Sequence, residues 1–329
     1  MPILTLDQAQ ALVTDALLRC GTSPTAADST ARALVGAEAD GLRGHGLSRV
    51  PAYAAQVRAG KVKGDAVPSV TQPRPGLLAV DAAHGFAYPA LDRVVADLPA
   101  IARVQGVAAA GIRRSHHCGA AGRPVEALAE QGLVAILFAN TPAAMAPWGG
   151  ARAVLGTNPV AFAAPLPGRA PVVIDLSLSK VARGAIVSAR QRGEAIPEGW
   201  ALDAEGRPTT DPSAALAGTM LPLGDAKGIA LALMVEILAA GLVGARFAGE
   251  ASSFLDAAGD PPGTGQLILA LDATALATDA LERFAVLAGS IEAQPGARLP
   301  GSRRLALRAR AEAEGLTIPE ILLAEIAAA

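Results

Sequence analysis

The residues of this chain that could carry chemistry gather in a few glycine-rich clusters. The first, Gly44-His-Gly-Leu-Ser-Arg49, sets an imidazole and a guanidinium four residues apart. Glycines on both sides of His45 permit close approach and unusual backbone angles. A guanidinium fork holds a carboxylate through two charge-assisted hydrogen bonds. An imidazole can hand a proton to an oxygen that is becoming a hydroxyl, a role worth about 10²- to 10⁴-fold in rate. The pair therefore suits a 2-oxo acid, gripped at Arg49 and protonated by His45. A turn histidine followed by a solvated helix arginine is the plain alternative, and the two readings carry equal weight.

Four further clusters interrupt the apolar pattern. Ser115-His-His-Cys-Gly-Ala-Ala-Gly122 lies between a strand pattern and a helix pattern, where helix N-terminal N–H groups can meet phosphate. Adjacent histidines at a strand end predict one buried ring and one exposed. Nothing marks Cys118 as an activated nucleophile, and the two histidines lack further metal ligands at readable spacing. Asn140–Gly150, continuing to Leu155-Gly-Thr-Asn-Pro159, reads as a long irregular loop of the kind that often carries function. For Met145 and Trp148 within it, simple cover for the core is the lesser alternative. Asp175-Leu-Ser177 ends a strand, and Gly224-Asp-Ala-Lys-Gly228 opens a helix. Lys227 there is either a phosphate contact or an exposed helix-start lysine. Neither a Gly-x-Gly-x-x-Gly fingerprint nor a Gly-x-x-x-x-Gly-Lys-Ser/Thr loop occurs, which disfavours an ordinary Rossmann fold and a P-loop nucleotidase.

The elements that must position these clusters follow from periodicity and caps. Thr5-Leu-Asp-Gln8 is a capping box before an apolar helical stripe closed by Gly21. Ser23-Pro24 starts a second helix that runs to about Asp40. A third follows the Gly41–Gly46 break and closes at Gly60. From Leu77 onward, apolar runs at Leu77–Val80, Val107–Ile112, Leu133–Phe138, Val160–Ala164 and Val172–Ile174 predict strands, with helices near Pro89–Gln105 and Gly122–Gln131. Later come a helix near Ala226–Leu242, a strand at Gln266–Ala270 and helices at Thr278–Ile291, Ser302–Glu314 and Pro319–Ala328. The chain thus reads as α/β, with its helical tail packing back on its helical start. The expected division is residues 1–75 plus 295–329 as a helical unit for substrate and dimerisation, and 76–294 as an α/β unit.

The 329 residues are half hydrophobic and 18% charged, enough to bury a large core. A net charge of −2 argues against a nucleic-acid or anionic-membrane partner, which would need a basic face, and leaves room for local basic patches. No apolar run is long enough to span a bilayer, and Met1–Asp7 lacks a signal-peptide pattern. Two distant cysteines, Cys20 and Cys118, give no disulfide framework or zinc site, and the expected address is the cytoplasm.

Taken in order, these clusters resemble the type-2 malate/L-lactate dehydrogenase family, which includes sulfolactate, ureidoglycolate and diketogulonate enzymes and the Δ1-piperideine-2-carboxylate reductases. The resemblance spans nearly the whole chain. It is carried by His45-Gly-Leu-Ser-Arg49, His116–Gly122, Met145-Ala-Pro-Trp-Gly-Gly150, Gly156-Thr-Asn-Pro159, Ile196–Asp203, Pro208–Pro212 and Leu221–Gly228. It implies a non-Rossmann fold with a central mixed sheet, NADP or NAD as cofactor, a small carboxylate substrate, no metal, and a homodimer with active sites near the subunit interface. By position it implies His45 as proton donor, with Arg49, Thr157 and Met145 on the substrate. His117, Cys118, Gly119, Ala120, Ala121, Asp175, Leu176, Ser177, Lys227, Gly228, Gly301, Arg303 and Arg304 would line the cofactor. The reaction implied is hydride transfer to C2 of a 2-oxo acid or, alternatively, of a cyclic 2-imino acid such as Δ1-pyrroline- or Δ1-piperideine-2-carboxylate. Two positions depart from the pattern. Gly44 replaces the serine that commonly precedes the catalytic histidine, and Ala185 replaces an aspartate found in the piperideine-carboxylate reductases. Another group, or water, must then orient His45.

Overall fold

A computed structural model describes the chain from Met1 to Ala329. Its centre is a seven-stranded sheet in the order β2 (Ser69–Arg74), β3 (Leu77–Asp81), β4 (Val107–Ser115), β11 (Thr264–Asp272), β5 (Leu133–Ala139), β6 (Val160–Leu166) and β7 (Arg169–Leu176). Only β3 and β4 pair in parallel; every other neighbouring pair is antiparallel. The sheet is therefore mixed, as expected, unlike the doubly wound parallel sheet that carries the usual dinucleotide fingerprint.

Helices α1 (Leu6–Arg19), α2 (Pro24–Ala39) and α3 (Val50–Arg58) open the chain. The capping box at α1 forms as read: Gln8 N–H donates to Thr5 Oγ1 (3.1 Å) and Thr5 N–H to Gln8 Oε1 (2.9 Å). The tail returns to this end. β1 (Ile3–Leu4) pairs with β12 (Leu316–Thr317), and Arg19 donates to the carbonyls of Ile326 and Ala327 in α11 (Glu320–Ala328). Helices α4 (Ala87–Gln105) and α5 (Gly122–Glu130) pack on the sheet. One hydrophobic core joins Val13, Leu17 and Leu34 of the helical layer to Ile112 and Leu137 of the sheet, so each layer buries the other's apolar face. A second core, holding Met145, Leu155, Met220 and Val235, lies against α8 (Ala226–Glu236).

Where α10 (Ser302–Glu314) crosses α2 and α5, two buried carboxylates meet three arginines. Asp40 pairs with Arg123, Arg304 and Arg308, and Glu126 with Arg304 and Arg308. Such a cluster is held by mutual satisfaction, since either carboxylate left alone would be a buried unpaired charge.

Some elements lie outside the sequence expectations. The edge strand β2 is mostly exposed and contains Pro73, so it shows neither alternation nor an apolar run. Helix α6 (Arg183–Arg192), helix α7 (Pro212–Ala217) and a small sheet of β10 (Thr219–Met220), β8 (Ala201–Leu202) and β9 (Pro208–Thr209) were likewise unforeseen. The helix expected over 226–242 is α-helical to Glu236 and closes in a π-turn over Ile237–Gly241. After β11 comes α9 (Ala280–Glu292). No helix is long and apolar enough to cross a membrane.

Candidate active site

His45 and Arg49 occupy two successive 3₁₀ turns, Arg43–His45 and Leu47–Arg49, between α2 and α3. Glu38, near the end of α2, fixes the junction by accepting the N–H of Leu47 on Oε2 (3.0 Å). Gly46 leaves room for that carboxylate: a Cβ would lie 2.1 Å from the same Oε2 and would push the Glu38 side chain aside. A Cβ on Gly44 would meet nothing. Arg49 Nε donates to Gly44 O (2.6 Å), and its guanidinium forms no ion pair within the chain. The helix begins after Arg49, at Val50, and the Arg49–Gly44 bond folds the guanidinium back toward the histidine turn.

Behind this turn lie both adjacent histidines. One exposed ring was expected, yet His116 and His117 are 1% and 6% exposed. The reason is α3, whose buried Tyr53 and Gln56, three residues apart on one face, supply a partner for each ring. Gln56 Oε1 lies 2.7 Å from His116 Nε2, and the Tyr53 hydroxyl 2.6 Å from His117 Nδ1. His117 Nε2 then lies 3.2 Å from His45 Nδ1, and the Tyr53 hydroxyl 3.1 Å from that of Tyr88. The ring of Phe254 packs on both His116 and His117, with centroids 5.2 and 5.3 Å away. Its loop is held by Lys61 Nζ, which donates to the carbonyls of Ser253, Asp256 and Ala258.

This crowding sets the protonation states. Burial, with the Arg49 charge adding to it, lowers His45 to about 4. Burial likewise lowers His116 to about 3 and His117 well below the ordinary imidazole value. It pushes Tyr53 up to about 12 and the Cys118 thiol up to about 12, so Cys118 is no nucleophile. All three rings are neutral at neutral pH in the unliganded chain.

The segment after His117 leads to the end of β7. Gly122 N–H, at the start of α5, donates to Asp175 Oδ2 (2.7 Å). The helix N-terminus read as a phosphate site is thus already capped by a carboxylate. Asp175 reaches solvent but is closely surrounded, and burial raises its pKa. Hydrogen bonds stitch neighbouring segments to it: Leu178 N–H donates to Thr157 O, Leu223 N–H to Leu178 O and Lys180 N–H to Leu221 O. Thr157 N–H donates to Thr141 Oγ1 (2.9 Å). Beneath them, Glu236 accepts from the side-chain amides of Asn140 (3.2 Å) and Asn158 (2.8 Å), anchoring the loop to α8. Gly228 must be glycine, since a Cβ would sit 1.9 Å from Leu223 O. Lys227 is exposed, without an ion pair, and Gly301 lies against Val173 of β7. The structure therefore brings Thr157, Asp175–Ser177, the Leu221–Gly228 segment and Gly301 together at one strand end. The run His117–Ala121 links that end to His45.

Two expected ligand contacts, Arg304 and Met145, are placed otherwise. Arg304 is committed to Asp40 and Glu126, so its guanidinium is not free for a cofactor. Arg303, by contrast, is exposed. Met145 is fully buried in the second core and pairs through its backbone with Leu155, while Trp148 is exposed. Tyr53, Tyr88 and Phe254 belong to the site and were not foreseen. The one available signal was rarity, since the chain has two tyrosines and both hydroxyls are here. No cluster of three His, Cys, Asp or Glu residues could hold a metal ion. Two cavities, of about 430 Å³ beside Arg190–Ala195 and about 310 Å³ around His84, Arg114 and Arg246, lie outside this site.

A family model described as malate/L-lactate dehydrogenase matches residues 4–327. The chain belongs to this family. It is 52% identical to a (2R)-3-sulfolactate dehydrogenase (NADP(+)) from Chromohalobacter salexigens, over 99% of this chain and 97% of the relative. It is 40% identical to a Δ1-pyrroline-2-carboxylate reductase from Ancylobacter novellus, over 99% and 96% of the two. Among solved structures, a Δ1-piperideine-2-carboxylate reductase from Pseudomonas syringae superposes with a TM-score of 0.90 at 38% identity, covering 99% of both chains. The sulfolactate dehydrogenase of Methanocaldococcus jannaschii gives 0.89 at 28% identity, covering 99% and 95%.

Proposed function

We propose that this chain is an NAD(P)H-dependent oxidoreductase that transfers hydride to C2 of a small 2-oxo acid and, in reverse, oxidises the 2-hydroxy acid. The observation that carries this reading is Arg49, a guanidinium beside a neutral histidine with no carboxylate of its own. An anionic substrate completes the pairing. Its carboxylate sits on Arg49 and its C2 oxygen faces His45. A reduced nicotinamide, when bound, supplies the hydride. His45 gives the proton to the oxygen and, in reverse, takes it back. Carboxylate binding also offsets the Arg49 charge that helps to hold His45 unprotonated, so the substrate itself favours loading of the proton.

The residues near the end of β7 fit a dinucleotide by their donor chemistry. Asp175 has an oxygen beyond the one bound to Gly122, suited to a ribose hydroxyl, and Lys227 is a cation without an ion pair, suited to phosphate. Thr157, Ser177 and Gly301 line the same end. The 52% identity to an NADP(+)-dependent enzyme supports NADPH, with Arg303 rather than Arg304 left to meet a 2′-phosphate. In this reading residues 1–75 plus 295–329 bring the proton donor and clamp, and residues 76–294 bring the cofactor.

The protein works as a homodimer. The support is an apolar face on α8 and its π-turn, where Leu231, Leu233, Met234, Ile237 and Leu242 are 39–68% exposed. That face lies on the α/β unit, not on the helical one. Two free cysteines fit a reducing compartment, and the cytoplasm is the proposed address.

The test is a substrate panel of pyruvate, oxaloacetate, sulfopyruvate, Δ1-pyrroline-2-carboxylate and Δ1-piperideine-2-carboxylate, each with NADH and NADPH. The expected result is the highest kcat/KM with a 2-oxo acid and NADPH. A higher value for a cyclic imine would establish the second reading, which full-length relatives at 38–41% identity favour. No turnover of any member would overturn both.

A further inference from the structure

His45 has lost both orienting partners expected from the family, since Gly44 offers no hydroxyl and Ala185 no carboxylate. The structure supplies another. The ring hydrogen bond of His45 runs from Nδ1 to His117 Nε2 (3.2 Å), and the planes of the two rings are 21° apart. His117 Nδ1 continues to the Tyr53 hydroxyl (2.6 Å), and that to the Tyr88 hydroxyl (3.1 Å). We propose that His117 is the positioning residue of the reaction: its Nε2 accepts the Nδ1–H of His45, which turns His45 Nε2 toward the substrate.

Proton counting fixes the direction of every bond in this chain. A neutral imidazole carries one N–H and one lone pair. His45 gives a proton from Nε2 and must remain neutral afterwards, so its Nδ1 keeps a hydrogen throughout. That hydrogen needs an acceptor, and His117 Nε2 is the one in reach. His117 therefore carries its own hydrogen on Nδ1 and donates it to the Tyr53 oxygen, leaving the Tyr53 O–H to donate to Tyr88. The opposite polarity would put a hydrogen on Nε2 of both rings, and loss of the His45 proton would then create an imidazolate. In the reduction, hydride adds to C2 as the C2–O π bond breaks, the oxygen takes the His45 Nε2 proton, and imidazolium becomes imidazole. Water restores the proton. A neutral acceptor performs this task without bringing a negative charge toward an anionic substrate, as a carboxylate partner would.

The proposal rests on His45 as proton donor, so its test has a readout that needs no turnover. The chain has four histidines, few enough for nitrogen-15 NMR of the labelled rings to assign each tautomer. We expect Nδ1–H at His45 and His117 in the resting protein. Nε2–H is expected at His116, where Gln56 accepts while its own amide donates to the carbonyls of Phe254 and Asp256. Tyr53→Phe should mix the tautomers of His117 and His45 and lower kcat by about 100-fold, with cofactor Kd unchanged. His117→Gln, which keeps an acceptor near the Nε2 position, should retain more activity than His117→Leu. Nε2–H at His45, or a Tyr53→Phe protein with unaltered tautomers and an unaltered pH profile of kcat, would overturn the proposal. The expected tautomers in a protein inactive toward the whole panel would confirm the hydrogen-bond polarity and refute the reaction.

Discussion

Two regions of the molecule handle arginine in opposite ways. Around Asp40 and Glu126, Arg123, Arg304 and Arg308 are matched by buried carboxylates, with as many as two partners per guanidinium. Around His45, Arg49 has a single backbone hydrogen bond and no carboxylate. The first region closes on itself and ties α10 to α2 and α5. The second is electrostatically incomplete, and its incompleteness is visible in its neighbours, since the Arg49 charge disfavours protonation of His45, His116 and His117. Positive charge whose partners lie within the chain holds the fold together. Positive charge without one marks where an anion belongs.

Breaking the first region should produce the largest effect. Asp40→Ala leaves Arg308 and its neighbours underpaired in the interior and should cost about 3–5 kcal/mol of stability, read by urea unfolding. Arg304→Met should also lower the unfolding midpoint, while leaving the preference for NADPH over NADH unchanged. Arg49→Lys should do the reverse. With the planar fork lost, kcat/KM for 2-oxo acids should fall about 100-fold with the unfolding midpoint unmoved. A smaller effect follows from pH. His45 is lowered to about 4, so above that value its protonated fraction falls tenfold per pH unit. Reductive kcat/KM should decline with that slope through the neutral range. Oxidation of the hydroxy acid uses the neutral ring and should be flat above about pH 5. Gly44→Ser should change least: a Cβ there meets nothing, and stability should move by less than about 0.5 kcal/mol.

The contrast also explains what the sequence could and could not reveal. Local signals were readable. The Thr5 and Ser23 caps, the strand periods and the His45–Arg49 spacing each depend on residues within a few positions, and the structure keeps them. The missing Gly-x-Gly-x-x-Gly was informative too, because the sheet is mixed and its one parallel pair, β3 and β4, is joined through α4 without that fingerprint. Long-range pairing was not readable. Arg303 and Arg304 looked alike as helix-start cations, but only Arg304 faces Asp40 and Glu126, which lie 264 and 178 residues earlier. Adjacent His116 and His117 looked like an inside–outside pair, until α3 was found to supply a buried partner for each. Met145 carried a family role and a core role at once, and its burial in the second core supports the latter.

The most direct test of the account is a single turnover with His45→Asn, at saturating NADPH and a 2-oxo acid accepted by the wild type, followed by nicotinamide absorbance. Hydride loss should slow by at least about 100-fold while cofactor affinity, read from tryptophan fluorescence, stays the same. A variant that consumes NADPH at the wild-type rate would contradict it.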